Sequence, residues 1–291
     1  MDKKIAITTD SNSGVMPTEG NEFGLFTLSM PFIVNGQVYL ENIDLSSEEF
    51  YTQLLSDADI STSQPSAGEV IEFWRKVLSE YDEIVHIPTS SFLSAAYYTA
   101  ENLAKDEEFA GRVHLVDNRR MSITLKESVY DAVKLRDQGF SATEIKQKLE
   151  EARLSAIYFA VDTMKFLKKG GRITPAAATI GTILRLKPIL QIQGEKINKF
   201  AVQKNTKQAL ETMKKAITND LNTRFKEYAE KGEVCMSVAF SQNEADAKLY
   251  MEQLKTLFPN MKFRLIDPVS LSIACHTGPN VIGVSISRCF N

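Results

Sequence analysis

Three short stretches crowd polar, hydroxyl-bearing residues together: Thr9-Asp10-Ser11-Asn12-Ser13, Ser61-Thr62-Ser63-Gln64-Pro65-Ser66, and Thr89-Ser90-Ser91 with Ser94. Each follows an apolar segment and precedes a helix start. Taken singly, each is capping and turn chemistry, in which side-chain oxygens accept from backbone N–H groups. Taken together they allow a second reading. If the apolar segments are parallel strands, their carboxyl ends share one edge and the loops converge on a polar pocket. Hydroxyls and helix-terminal amides there would hold a carboxylate or phosphate oxygen without a counter-charge.

His276 is the histidine to follow. It precedes Gly278-Pro279 in a stretch that reads as a loop, where nothing apolar demands an imidazole. The bland alternative is a surface histidine. His86 and His114 fall inside strand patterns and read as structural. A serine with a histidine suggests a hydrolase or transferase acting on an acyl or phosphorylated small molecule, with Ser94 as nucleophile and His276 as base. Against that stand the lack of a GxSxG elbow and of a carboxylate assigned to orient the ring. There is no GxxxxGK[ST], no GxGxxG after the first strand, and no HxH or HExxH spacing, so neither a nucleotide loop, a metal nor a cofactor is expected.

The densest local signals lie between Asp162 and Leu190, DTMKFLKKGGRITPAAATIGTILRLKPIL. Lys168 and Lys169 suit the last turn of one helix, with Gly170 as the left-handed residue that ends it and Gly171 keeping the backbone thin. Thr174 reads as the N-cap and Pro175 as the first residue of the next helix. Arg172 therefore sits on a tight turn beside a positively polarised helix start, a place for an anion. Ala176, Ala177, Ala178 and Gly181 leave that second helix thin on one side until Ile183, Leu184 and Leu186. A neighbouring helix or a ligand would lie close there.

Whatever these residues do, regular elements must hold them. The chain of 291 residues, 43% hydrophobic, suffices for two moderate domains with cores. A net charge of −3 gives no overall attraction to nucleic acid or to an anionic membrane. Three cysteines without a CxxC pair read as reduced thiols, MDKKIAITTD runs directly into a strand pattern, and no apolar run approaches a membrane span; a cytoplasmic protein is expected.

Strands are expected at Ile5–Thr8, Glu83–Ile87, Arg112–Val116 and Leu154–Val161, and a hairpin about Asn35-Gly36. Ser46 with Glu49, Ser66 with Glu69 and Ser141 with Glu144 mark capping boxes of three helices. Strands alternating with helices imply βαβ units and a mainly parallel sheet. Further on, a hairpin about Gly194-Glu195, one long helix from Thr206 to Lys231, a last βαβ unit over Val234–Ile266 and a strand Val281–Ile286 are expected. The domain change is placed at 158/159, giving an N-terminal α/β domain, 1–158, and a C-terminal one, 159–291.

With these motifs assembled, the sequence resembles the DegV family over essentially its whole length. The resemblance rests on Asp10-Ser11, Thr62-Ser63-Gln64-Pro65-Ser66, Ser90-Ser91 with Ser94, Lys168 to Ile173, Lys187-Pro188-Ile189-Leu190 and His276-Thr277-Gly278-Pro279. It implies two α/β domains with a ligand tunnel between them. It further implies a non-enzymatic subunit that binds a long-chain fatty acid and presents its carboxylate to a fatty acid kinase catalytic subunit, which makes the acyl phosphate with ATP. On that resemblance Thr62, Ser63, Ser94 and His276 meet the carboxylate. Arg172 lies at the tunnel mouth, and on the resemblance both it and Lys204, where arginine is common in the family, contact the kinase. Phe159, Phe166, Ala177, Ile180, Gly181 and Leu184 line the tail, and transient membrane contact is compatible with such a cargo. The sequence departs from the family pattern at Ala95 and Asn280, where glycine is usual.

Overall fold

The computed structural model describes residues 3–17, 23–41, 43–56, 58–180 and 186–290. The chain divides into two compact units, 1–153 and 154–291.

The first unit begins with β1 (Ile5–Asp10), apolar at its start, polar at Thr8-Thr9-Asp10 and buried on both faces throughout, as expected of a central parallel strand. Then come β2 (Leu25–Leu28), β3 (Pro31–Val34), β4 (Gln37–Leu40), α1 (Ser47–Leu55), β5 (Ile60–Thr62), α2 (Ala67–Leu78), β6 (Glu83–Ile87), α3 (Ala96–Leu103), β7 (Val113–Leu115), α4 (Ser122–Asp137) and α5 (Ala142–Glu151). One sheet runs β2-β1-β6-β7 with every pair parallel, and a smaller antiparallel one runs β4-β3-β5. Ser46, Ser66 and Ser141 all form the expected capping boxes. Asn35 and Gly36, both at positive φ, close the hairpin β3–β4, the conformation an Asn-Gly turn selects.

Trp74 of α2 centres the core of this unit, edge-on to Phe109 and His86 and packed with Val70, Val77, Ile84 and Ala100. Two features depart from the sequence expectation. β2 was not anticipated, because its four residues join the sheet only by pairing Ile7 through Asp10 with Leu25 through Leu28. The Ser61–Ser66 stretch is not a loop throughout: Ser61 and Thr62 are strand residues of β5, in the small sheet rather than at the carboxyl edge of the parallel one.

The second unit contains β8 (Ser155–Ala160), α6 (Lys165–Gly170), α7 (Pro175–Ala178), β9 (Lys187–Ile192), β10 (Asn198–Gln203), α8 (Thr206–Asn222), α9 (Lys226–Glu230), β11 (Val234–Phe240), α10 (Glu244–Leu257), β12 (Lys262–Pro268), α11 (Leu271–Thr277) and β13 (Ile282–Arg288). Its sheet runs β10-β9-β8-β13-β11-β12, antiparallel at every pair but β11–β12. A parallel sheet therefore characterises the first unit and a mixed one the second. Alternate residues of β8, β11 and β13, among them Tyr158, Met236, Val238, Val284 and Ile286, face a core closed by Met213 and Ile217 of α8 and Tyr250 and Leu254 of α10.

The expected single helix over 206–231 is broken at Thr223, whose φ of −126° and ψ of −96° are not helical. Asn222 and Thr223 are weak helix formers, and their neighbour Asp220 turns inward, accepting from Tyr158 Oη at 2.9 Å and from Arg224 at 2.9 and 3.0 Å. Among the described residues no helix is long and apolar enough to cross a membrane.

Candidate functional site

In the first unit the candidate residues are built on the ends of β1, β5 and β6. Parallel pairing sets Thr9 beside Ile87, so the chain leaves both strands at the same edge. Asp10 is buried there and caps the single turn of 3-10 helix Ser11–Ser13 by accepting from the Asn12 amide at 3.1 Å. The same carboxylate accepts from the Thr89 amide at 2.7 Å and the Thr89 hydroxyl at 2.8 Å. Burial pushes the Asp10 carboxyl up from its ordinary range, against the pull of these donors.

Thr89 begins the segment that ends at Ser94. Within it the Leu93 and Ser94 amides both reach the Ser90 carbonyl at 3.0 Å, and Ser90 N–H donates to Arg120 O at 2.9 Å. Ser94 is half-buried, and its hydroxyl accepts from the Ala96 amide at 3.3 Å at the entry to α3. Thr62, half-buried, ends β5 opposite Phe32. Ser63 is exposed, with its hydroxyl on Gln64 O at 3.2 Å and its amide on Pro31 O at 3.3 Å. Gln64 then donates to Thr99 Oγ1 of α3 at 3.0 Å. The loop after Thr62 and the helix that Ser94 opens are thus tied together, although they belong to different sheets. Ser66 is taken up by its capping box.

His86 behaves as a structural residue. Its Nδ1 lies 2.8 Å from Thr8 Oγ1, and burial lowers its pKa to about 3. A signal that sequence reading passed over lies beyond β7. Ser91 donates to Asp117 Oδ2 at 3.0 Å, and the Arg119 guanidinium stands 5.0 Å from the Phe92 ring centroid with the backbone at φ 57°. The segment holding Ser94 is therefore braced from a third strand end.

In the second unit, α6 delivers the turn that carries Arg172. The two glycines act in the reverse of the expected order. Gly170 is the last helical residue, and Gly171, at φ 69°, is the left-handed cap with open space beside it. Arg172 is exposed, and its Nη1 donates back to Gly170 O at 2.5 Å. The turn is pinned to the segment before β10: Ile197 N–H donates to Arg172 O at 3.1 Å, and Thr174 N–H to Ile197 O at 2.9 Å. Thr174 caps α7 and Pro175 opens it, as expected, but α7 ends at Ala178. Ala177 and Ile180 are buried, whereas Gly181, Ile183 and Leu184 lie outside the described residues.

His276 is not on a loop. Ser270 caps α11 by accepting from the Ile273 amide at 3.3 Å, and His276 is its penultimate residue, half-buried. The cap signal was present in the sequence, but seven residues are too few for a visible helical period. Burial first, and then the charge of Arg172, hold the imidazole down to about pKa 4, so it is neutral at physiological pH. Asn280, at φ 56°, donates to Asp162 Oδ2 at 3.0 Å, and Asp162 is also ion-paired with Lys187. Phe166 packs its ring onto Gly278, and Phe159 is buried on β8 opposite Gly283. Lys204 is exposed just after β10, apart from the Arg172 turn in sequence and ahead of the α8 N-cap Asn205. Among the described residues no cluster of His, Cys, Asp and Glu could hold a metal ion.

The comparisons with known proteins are consistent across the whole length. A relative from Deinococcus radiodurans, a DegV domain-containing protein, is 30% identical over 287 residues, 97% of this chain and 98% of its own. A DegV domain-containing protein of Staphylococcus aureus is 28% identical, covering 99% of this chain and 100% of its own. Among solved structures, a DegV family protein from Thermus thermophilus, described by its fatty acid binding, superposes with a TM-score of 0.84. It is 27% identical and covers 98% of this chain and 99% of its own. The family model described as "Uncharacterised protein, DegV family" matches residues 4–288, and the chain belongs to the DegV family.

Proposed function

We propose that this chain binds a long-chain fatty acid and presents its carboxylate to an ATP-dependent fatty acid kinase partner, on which the acyl phosphate is formed. The observation that carries the reading is the full-length likeness to the fatty-acid-binding protein of Thermus thermophilus. The chemistry of the residues agrees with it. A dozen or more methylenes at ~0.8 kcal/mol each supply ample affinity once buried, so the head group needs only to be oriented. Neutral hydroxyls and a neutral imidazole suit that task. In this reading Thr62, Ser63, Ser94 and His276 serve the carboxylate, Arg172 and Lys204 face the partner, and Phe159, Phe166, Ala177 and Ile180 border the tail.

Mass spectrometry of organic extracts from the purified recombinant chain tests the first half. A co-purifying fatty acid, or stoichiometric uptake of added oleate, is expected; neither one would sink the reading. Adding a fatty acid kinase catalytic subunit and ATP to the loaded protein tests the second half, with acyl phosphate trapped as its hydroxamate. Ester turnover by the chain alone, lost in Ser94→Ala, would favour the hydrolase reading instead.

A further inference from the structure

Gly170 is glycine for a reason its own backbone does not supply. It is the last residue of α6 and is not in the left-handed region, so alanine there would favour the helix. What excludes a side chain is a neighbour. A Cβ at this position would fall 3.0 Å from Cε1 and 3.1 Å from Cγ of His276, and nearer still to Nδ1. The imidazole of α11 therefore rests on the α6 backbone at this one point. The carbonyl of the same residue accepts Arg172 Nη1 at 2.5 Å. α11 returns the arrangement: at its cap Gly278 a Cβ would come 2.5 Å from Cδ2 and 2.8 Å from Cε2 of Phe166, the ring that α6 offers. Each helix supplies a glycine to receive the other's ring.

We infer that Gly170 is a positioning residue, the common seat of His276 and Arg172, so that one backbone site sets both the imidazole that meets an acyl carboxylate and the guanidinium beside it. This rests on the fatty acid reading given above. The seat explains why the ring is buried beside a cation and stays neutral, with its pKa lowered to about 4 by burial and by Arg172. A neutral imidazole brings a single N–H, so it orients a carboxylate by direction rather than by charge, and direction is what a fixed seat provides.

Gly170→Ala tests the inference by two readouts that do not need lipid. The His276 imidazole titration, followed by NMR of its ring C–H groups, should move up from about 4 toward the ordinary 6.5 as the ring is lifted off α6. The urea midpoint should fall in Gly170→Ala, yet not fall when the same change is made in His276→Ala, where the ring is gone. Oleate affinity should drop about tenfold, the worth of one oriented hydrogen bond. An unmoved titration overturns the inference, as does a loss of stability that persists undiminished in the His276→Ala background. Should Gly170→Ala fail to fold, a folded Gly170→Ala/His276→Ala protein upholds the inference and an unfolded one overturns it. If wild type itself takes up no oleate, the fatty acid reading fails, and the titration and stability comparisons still decide the role of Gly170.

Discussion

The Asp10 carboxylate takes the Thr89 amide on one oxygen at 2.7 Å and the Thr89 hydroxyl on the other at 2.8 Å, joining the ends of two neighbouring parallel strands. The segment from Thr89 to Ser94 starts from this junction, so the placement of Ser94 depends on a residue far from it in sequence.

Removing the carboxylate takes the acceptor from three buried donors, the Thr89 amide, the Thr89 hydroxyl and the Asn12 amide. Asp10→Ala is expected to lower stability by about 3 kcal/mol or more, because a buried donor left without its acceptor costs ~1–3 kcal/mol. Thr89→Val, which loses only the hydroxyl, should cost roughly 1–2 kcal/mol. Urea unfolding of both variants checks the order; equal costs would mean that the amide contact carries nothing.

Acid should weaken the fold through His86. Its pKa is near 6.5 when unfolded and about 3 when folded, so between those values the unfolded chain binds a proton that the folded chain excludes. The contribution is complete above 6.5 and is lost as pH falls toward 3, by on the order of 5 kcal/mol in all. His276, lowered to about 4, adds in the same direction with a smaller weight because it is only half-buried. The urea midpoint measured from pH 7 to 4 should decline in wild type and decline less in His86→Gln; a parallel decline in both would assign the acid sensitivity elsewhere.

Ser94→Ala and Thr62→Val should each weaken oleate binding about tenfold, in line with ~1.4 kcal/mol per oriented hydrogen bond. Displacement of a fluorescent fatty acid measures this. Ser94 is half-buried and its hydroxyl accepts a long bond from the Ala96 amide, at 3.3 Å, so the stability of Ser94→Ala should stay within about 1 kcal/mol of wild type. Undiminished oleate affinity in both variants would remove these hydroxyls from the head group.

Arg172→Ala should leave oleate affinity within about twofold while reducing kinase-dependent acyl phosphate formation at least tenfold, since the side chain is exposed and bonds back to its own turn. Arg172→Lys should rescue only in part, because an ammonium keeps the charge and loses the planar fork. A fall in lipid affinity to match the fall in turnover would place Arg172 at the head group rather than at the partner.

What could be read from the sequence was set by range. Ser46, Ser66, Ser141 and Thr174 act over three residues, and each caps the helix it was expected to cap. Asn35-Gly36 likewise fixes its own turn. β2 is not expected from the sequence because Leu25-Phe26-Thr27-Leu28, though strand-favouring in type, is too short a run to stand out; its reason is the row of β1 residues beside it. The exchange of roles between Gly170 and Gly171 had the same origin. Two adjacent glycines look alike to any local rule, and only the ring of His276, more than a hundred residues on, tells them apart. His276 reads as a loop residue in the sequence and lies on a helix in the structure, since a short capped helix leaves little periodic trace.

The mixed sheet of the second unit ends at β10 and β12 among the described residues. On β10 the register slips between Lys199 and Ala201, and β12 carries Lys262, Arg264 and Asp267 before closing on Pro268, which has no N–H to give. A strand arriving at either border meets an interrupted ladder or a row of charges. The borders of this sheet thus work as insulation, keeping its open hydrogen-bonding edges from recruiting other chains in a crowded solution.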